Sequence, residues 1–234
     1  MGKSKDLATG ETRFVNTAGD SMTGALTGTS AGFTGDVNIG NNDSSNPLSK
    51  LRLGGTQYGA SDIRPTDEGG HKVGMAFYTD GTGDTTIDPV LRMTIDSSGR
   101  VTMPNQPAFD VAQPAQVSGD HTFNQIHLNR GYHYDNSNGR FTAPVAGVYI
   151  FFWGGIKGGN STTTARLYVK KNGSRLYSQR HLRLDGNINT YGDNGGLQWV
   201  VQLAVNDYVT AETGAGQIYN ATGEYTTFSG YLLG

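Results

Sequence analysis

Cysteine is absent from this chain of 234 residues, and that single absence removes a disulfide framework, a thiolate zinc site and a cysteine nucleophile together. Glutamate is scarce, standing only at positions 11, 68, 212 and 224, so the paired carboxylates of glycoside hydrolysis have few sources. No run approaches the roughly 20 apolar residues of a membrane-spanning helix, which argues against membrane insertion. Neither sign of charge dominates: a formal net charge of -2, with 16% charged residues, offers no attraction for nucleic acid or an anionic bilayer. Amphipathic helical periodicity is lacking, as are a GxSxG elbow, an HExxH pair and a P-loop. The expectation is a protein that is not an enzyme and carries no catalytic residue, metal or cofactor.

What is abundant points to β structure. The chain holds 35 Gly, with Thr and Asn recurring throughout, a composition of short strands joined by tight turns. Four textures follow one another. Residues 1–14, MGKSKDLATGETRF, have no apolar periodicity and read as a disordered tail or as a peptide that docks on something larger, through Lys3, Lys5, Leu7, Arg13 and Phe14. They contain no apolar core of a signal peptide, and Asp6 occupies the place where myristoylation needs Ser or Thr, so synthesis in a cytoplasm is expected.

Residues 15–48 are rich in Gly and Thr, and between 16 and 40 only Met22, Leu26, Phe33, Val37 and Ile39 are larger apolar side chains. One copy buries too little to offset roughly 1 to 2 kcal/mol of backbone entropy per ordered residue, so the segment is either a linker or a shaft completed by several copies. Residues 49–104 return to strand texture in SKLRLGG, VGMAFYTDGTGD and LRMTIDSSGRVTMP, the last a hairpin turning at DSSG. Two short strands do not stand alone in water, so this module too needs partners. Residues 105–234 hold the strong strand runs, including a type I′ hairpin at Asn172–Gly173, and the expected form is a sandwich or jelly roll.

Two resemblances follow from particular residues. FNQIHLNRGYHYDNSNGRFTAPVAGVYIFFW carries Phe123, Asn129, Tyr134, Phe141, Gly147, Tyr149, Phe151 and Trp153 at the spacings of a complement C1q-like domain, a relative of the tumour necrosis factor family. QPAF at 106–109, VNDYV at 205–209 and the closing TTFSGYLLG are similar to the same family. The resemblance implies a ten-stranded jelly roll assembled as a homotrimer. Nearer the start, Gly19, Asp20, Met22, Thr23, Gly24 and Leu26 in FVNTAGDSMTGALT resemble a repeat of phage tail fibres, and LRMTIDSSGRVTMPNQPAF resembles a hairpin found in tail fibres of marine and cyanobacterial phages.

The order of anchor, shaft repeat, hairpin module and head implies a trimeric phage fibre. Its expected place is the virion. Its expected partners are further copies of itself, a virion tail or adaptor protein, and bacterial surface polysaccharide or protein. A capsid-attached fibre, a purely structural tail component, a polysaccharide depolymerase and a secreted C1q-like lectin are the alternatives.

The residues expected to touch a receptor lie in two polar, Tyr-bearing segments: Asn187, Asn189, Tyr191, Asp193 and Asn194 in one, Gln217, Tyr219 and Asn220 in the other. Tyr stacks on a sugar's apolar face while Asn and Asp bond its hydroxyls. The first segment, with Asp185, Asn187, Asn189 and Asp193, is also reminiscent of a calcium loop, although it lacks EF-hand spacing. His121, His127 and His133 are six apart and would share a face only if one strand ran unbroken through them.

Overall fold

Alternation of side chains across a strand fixes which residues share a face, and that rule generates everything visible here. The structure, a computed structural model, describes residues 51–55, 59–81, 89–158, 163–177, 179–185, 194–220 and 225–234, with every regular element among them a β-strand. The anchor residues and the shaft repeat lie outside the described residues, as do Asn187, Asn189, Tyr191 and Asp193.

The first sheet is an antiparallel meander of β1 (Leu51–Gly55), β2 (Gly59–Asp67), β3 (Val73–Thr79), β4 (Val90–Ile95) and β5 (Val101–Thr102). The hairpin expected at DSSG is present: Ile95 pairs with Val101, Gly99 takes φ 79°, and the Asp96 carboxylate accepts from the Ser98 and Arg100 amides. β2 has no counterpart in the sequence reading, because Asp62, Pro65 and Asp67 interrupt the apolar pattern. Pro65 lies two residues beyond Ile63, the last β2 residue paired with β1 among the described residues, and pairs with Met75 of β3.

Register aligns two apolar rows on one face of this sheet, Leu51–Ile63–Phe77–Met93 and Pro65–Met75–Ile95–Val101. The other face mixes Asp62, Arg64, Thr94 and Thr102 with Ala76, Tyr78 and Leu91, and Asp62 and Ala76 are buried on it. There Arg64 donates from Nε to Asp62 at 3.1 Å and lies 4.3 Å over the Tyr78 ring. Val73 is 59% and Val101 55% exposed, so the apolar face stands open among the described residues.

The second body is a sandwich of two antiparallel sheets. One is built from β6 (Ala108–Pro114), β8 (Phe123–Arg130), β11 (Gly147–Ile156), β15 (Asn194–Leu203) and β17 (Thr227–Leu232), in the order β15-β11-β17-β6-β8. The other contains β7 (Gly119–Asp120), β9 (Tyr134–Asp135), β10 (Arg140–Thr142), β12 (Ala165–Lys171), β13 (Ser174–Arg175), β14 (Leu182–Leu184) and β16 (Tyr208–Ala215). The two-residue pieces β7, β9 and β13 bring the count of described strands above the ten expected.

The aromatic signature fills the core between the sheets. Phe109 stacks with Tyr134 and Phe141 and meets Phe228 edge-on, with all three ring centroids within 5.1 Å. Tyr149, Phe151, Trp153 and Trp199 are fully buried. The remaining signature residues shape backbone. Asn129 spans the turn after β8, donating to the Tyr134 carbonyl at 2.8 Å and accepting from the Tyr134 amide at 3.1 Å. Gly147 is needed because the C-terminus lies against it: a Cβ there would sit 2.7 Å from the Leu232 side chain. Tyr149 closes the bend before β11 by donating to the Val145 carbonyl at 2.8 Å. The expected hairpin turn has both residues left-handed, Asn172 at φ 49° and Gly173 at φ 81°.

Candidate functional site

Strand direction sorts the sandwich into two ends. β6 starts at Ala108 beside Arg130 and Tyr231, near the C-terminus, and runs to Pro114 beside Phe123. The far end of β11, the starts of β15, β17 and β12, and the ends of β14 and β16 gather with Pro114. The described residues 115–122, 157–158, 163–164, 185, 216–220 and 225–226 therefore gather at one end, opposite the end at which the chain comes in from the first sheet. Of the residues expected to touch a receptor, the described ones, Asn194, Gln217, Tyr219 and Asn220, belong to this distal end.

The described part of that end is firmly held. Tyr219 donates its amide to the Ile156 carbonyl at 2.9 Å, Ile218 to Val117 at 2.9 Å, and Gly158 to Gln217 at 3.0 Å. The Ile218 side chain is buried, and a Cβ at Gly158 would collide with its backbone at 2.4 Å, so only glycine admits this approach. Asn220 donates to the Ala115 carbonyl at 3.4 Å, while Thr226 donates its hydroxyl to the Tyr219 carbonyl at 2.9 Å. The Tyr219 and Tyr225 rings meet edge-on at 5.6 Å.

Beside this pair runs a shallow groove of about 580 Å³ between the distal ends of β11, β15 and β17. Its floor is glycine on both strands, Gly154 opposite Gly196 and Gly155 opposite Gly195. Phe152 and Tyr225 supply rings along it, and Asn194 and Gln198 supply amides. Rings beside amides on a rigid floor suit a ligand with apolar faces and hydroxyl edges. Tyr225 and Gln198 were not singled out from sequence. Their signal was available in the alternation of β15 and in the Tyr that closes GAGQIYNATGEY.

The outer face of the β15-β11-β17-β6-β8 sheet carries a second feature. Phe152 stacks on Tyr231 with centroids 6.4 Å apart, and register places Ile150 between Val200 and Tyr231. Phe152, Val200 and Tyr231 are 38 to 45% exposed and form an apolar cluster around Ile150 on a sheet whose other face is already filled, and Asp110 and Ser229 separate that cluster from the exposed Leu128.

The titratable groups are committed elsewhere. Asp207 accepts from Lys171, Asn172 and the Ala204 amide, which together hold its pKa down to about 2. Glu212 is gripped by the Arg175 guanidinium at 2.7 Å, and Asp185 accepts from Thr164 and Arg183; hydrogen bonds from these partners lower both carboxyls. A carboxylate held ionised by a cation is unsuited to donate a proton to a leaving group. The three histidines do not line one face. His121 precedes β8 and is buried beside Phe123 and Trp153, His127 is exposed on β8, and His133 follows it under Gly131. His121 is thus a core residue, where polar strand character was expected. Its Nε2 lies 2.8 Å from the Thr213 hydroxyl, and burial pushes its pKa down to about 4. No group of three metal-ligating side chains occurs among the described residues.

A two-sheet β sandwich with an aromatic core, a distal groove and an apolar outer cluster defines a jelly-roll module. The C1q domain family matches residues 108–233, more than half of the chain, and the chain belongs to that family. It is 30% identical over 111 residues to human complement C1q tumor necrosis factor-related protein 3, covering 47% of this chain and 43% of that protein, with equal figures for the mouse counterpart. It is 24% identical over 174 residues to zebrafish caprin-2, covering 65% of this chain and 18% of the relative. The chain therefore spans less than half of each of these relatives. The globular domain of zebrafish complement 1qA aligns with 55% of this chain and 98% of its own length, at 24% identity and a TM-score of 0.40.

Proposed function

We propose that the chain is a non-enzymatic homotrimeric fibre protein of a phage, binding the host cell surface through the distal end of its C1q head and joining the virion tail through residues 1–14. The observation that carries the trimer is the outer cluster of Phe152, Tyr231 and Val200. A sheet filled on one face and carrying an exposed apolar cluster on the other buries that cluster against its own copies. Assembly around that face brings the three distal ends, with Tyr219 and Tyr225, to one tip, and three weak sites together raise avidity by about 10² to 10⁴ when receptors are reachable at once.

The virion assignment rests on the ordered motifs from Gly19 to Leu26 and across the DSSG hairpin. Attachment to a capsid rather than a tail is the variant of this reading that immunogold labelling of virions with antibody to the head resolves. The named relatives are animal proteins, and that observation favours a second reading, a C1q-type binding module of a cellular protein.

The direct test is binding of the purified full chain to bacterial cells. Tyr225→Ala is expected to weaken binding at least tenfold without altering solution mass. Equal binding by wild type and variant would remove the distal groove from the account, and the absence of any binding to cells or their polysaccharide would favour the second reading.

A further inference from the structure

The first sheet presents an apolar face that no second layer covers among the described residues. Ile63, Met75, Phe77, Met93, Ile95 and Val101 share that face by register, and Met75 and Val101 are 46% and 55% exposed. Five strands at about 4.8 Å spacing, each about six residues long, make it roughly 500 Å² in extent, at the upper end of what a monomer's surface leaves bare.

We infer that this face is a second self-association surface, packed against the same face of other copies to form a shared core. The inference rests on the trimeric reading of the head. Three considerations select copies of the same sheet as the occupant. The two rows carry no charged side chain, so like faces meet without repulsion, whereas a face built for a charged partner would show the complementary sign. Only residues 103–107 separate β5 from β6, a span of at most about 18 Å, so heads that assemble hold their sheets at high local concentration. Three such faces together bury on the order of 1,500 Å², the size of a specific protein interface. The competing occupant within the chain is residues 16–40, whose five larger apolar side chains are too few to cover the two rows.

The absence of native cysteine makes the test clean. Single variants of the full chain, Met75→Cys and Val101→Cys on the apolar face and Thr102→Cys at an exposed position of the opposite face, are labelled with a maleimide while solution mass is recorded. The expected result is a trimer in which the first two react at least tenfold more slowly than Thr102→Cys, and in which a short bismaleimide links Val101→Cys copies covalently. A trimer whose three variants label at equal rates overturns the inference and leaves the trimeric head standing. A monomeric wild type overturns both. Adding Phe152→Glu, an exposed position, separates the occupants: restored labelling in the dissociated chain supports copies of the same sheet. Protection that persists in a folded monomer assigns the face to the chain's own N-terminal segment and overturns the inference. Should that variant fail to fold, the bismaleimide reaction alone decides, since linked copies require facing sheets and their absence counts against them.

Discussion

The head and the first sheet are both antiparallel β structure drawn from the same alphabet of alternating residues, yet only one of them owns a core. In the head, two sheets face each other and bury Phe109, Tyr149, Phe151, Trp153, Trp199 and Phe228. The five-stranded meander has a run of apolar residues on one face and no second layer among the described residues, so Val73, Met75 and Val101 remain about half exposed. Sequence alternation dictates that a face will be apolar, but the fold of one chain does not dictate what covers it. On the inference drawn above, stability is intrinsic in the head and conditional on assembly in the meander.

The strongest way to break this contrast is to hollow out each region in turn. Phe109→Ala removes a ring in contact with four others and is expected to destabilise the head by about 3 to 5 kcal/mol, read by urea unfolding from Trp153 and Trp199, which are both in the head core. Phe77→Ala in the meander is expected to leave that transition within about 0.5 kcal/mol, because Phe77 packs on no part of the head core. A large shift from Phe77→Ala would mean that the two regions form one cooperative unit.

Next in size is the effect on assembly. Phe152→Glu places a charge within the outer cluster, where burial without a partner costs several kcal/mol, so the trimer is expected to weaken at least a hundredfold while the monomeric head keeps its fold. Sedimentation across a dilution series measures this.

A pH dependence of similar order belongs to the head alone. His121 has its pKa lowered from about 6.5 to about 4 by burial between Phe123 and Trp153, near Thr213, Asp120 and Glu212. The unfolded chain binds the proton first, so the contribution is fully present above about pH 6.5 and is lost as pH falls toward 4, amounting to about 3 kcal/mol. His121→Gln should flatten that part of the profile relative to wild type, and an unchanged slope would count against a neutral buried imidazole.

The smallest effect is expected at the edge of the other head sheet. Arg175 bonds Glu212 and lies 3.9 Å over the Tyr168 ring, but it is exposed, so Arg175→Ala should cost about 1 kcal/mol or less.

The head was legible in the sequence because its determinants are local and redundant. Aromatic spacing from Phe123 to Trp153, the Asn172–Gly173 turn and the closing TTFSGYLLG each specify one element, and all agree on a single architecture. Three things were not legible. β2 hides because Asp62 and Pro65 break its alternation, and only the pairing with its neighbours reveals it. His121 reads as one of three polar histidines until the sandwich closes around it. The run FFW at 151–153 looks uniformly apolar, and only the pleat separates Phe152, on the outer face, from the two core rings beside it. The distal groove is likewise a product of topology, since Tyr225 and Asn194 are brought to one end by strands distant in sequence.

The central claim is that the outer face of the head assembles three copies. Light scattering of the full chain at low micromolar concentration tests it most directly. A chain of 24.9 kDa is expected at about 75 kDa, falling to the monomer mass in Phe152→Glu. A wild-type mass of about 25 kDa at that concentration would contradict the claim and, with it, the fibre that depends on it.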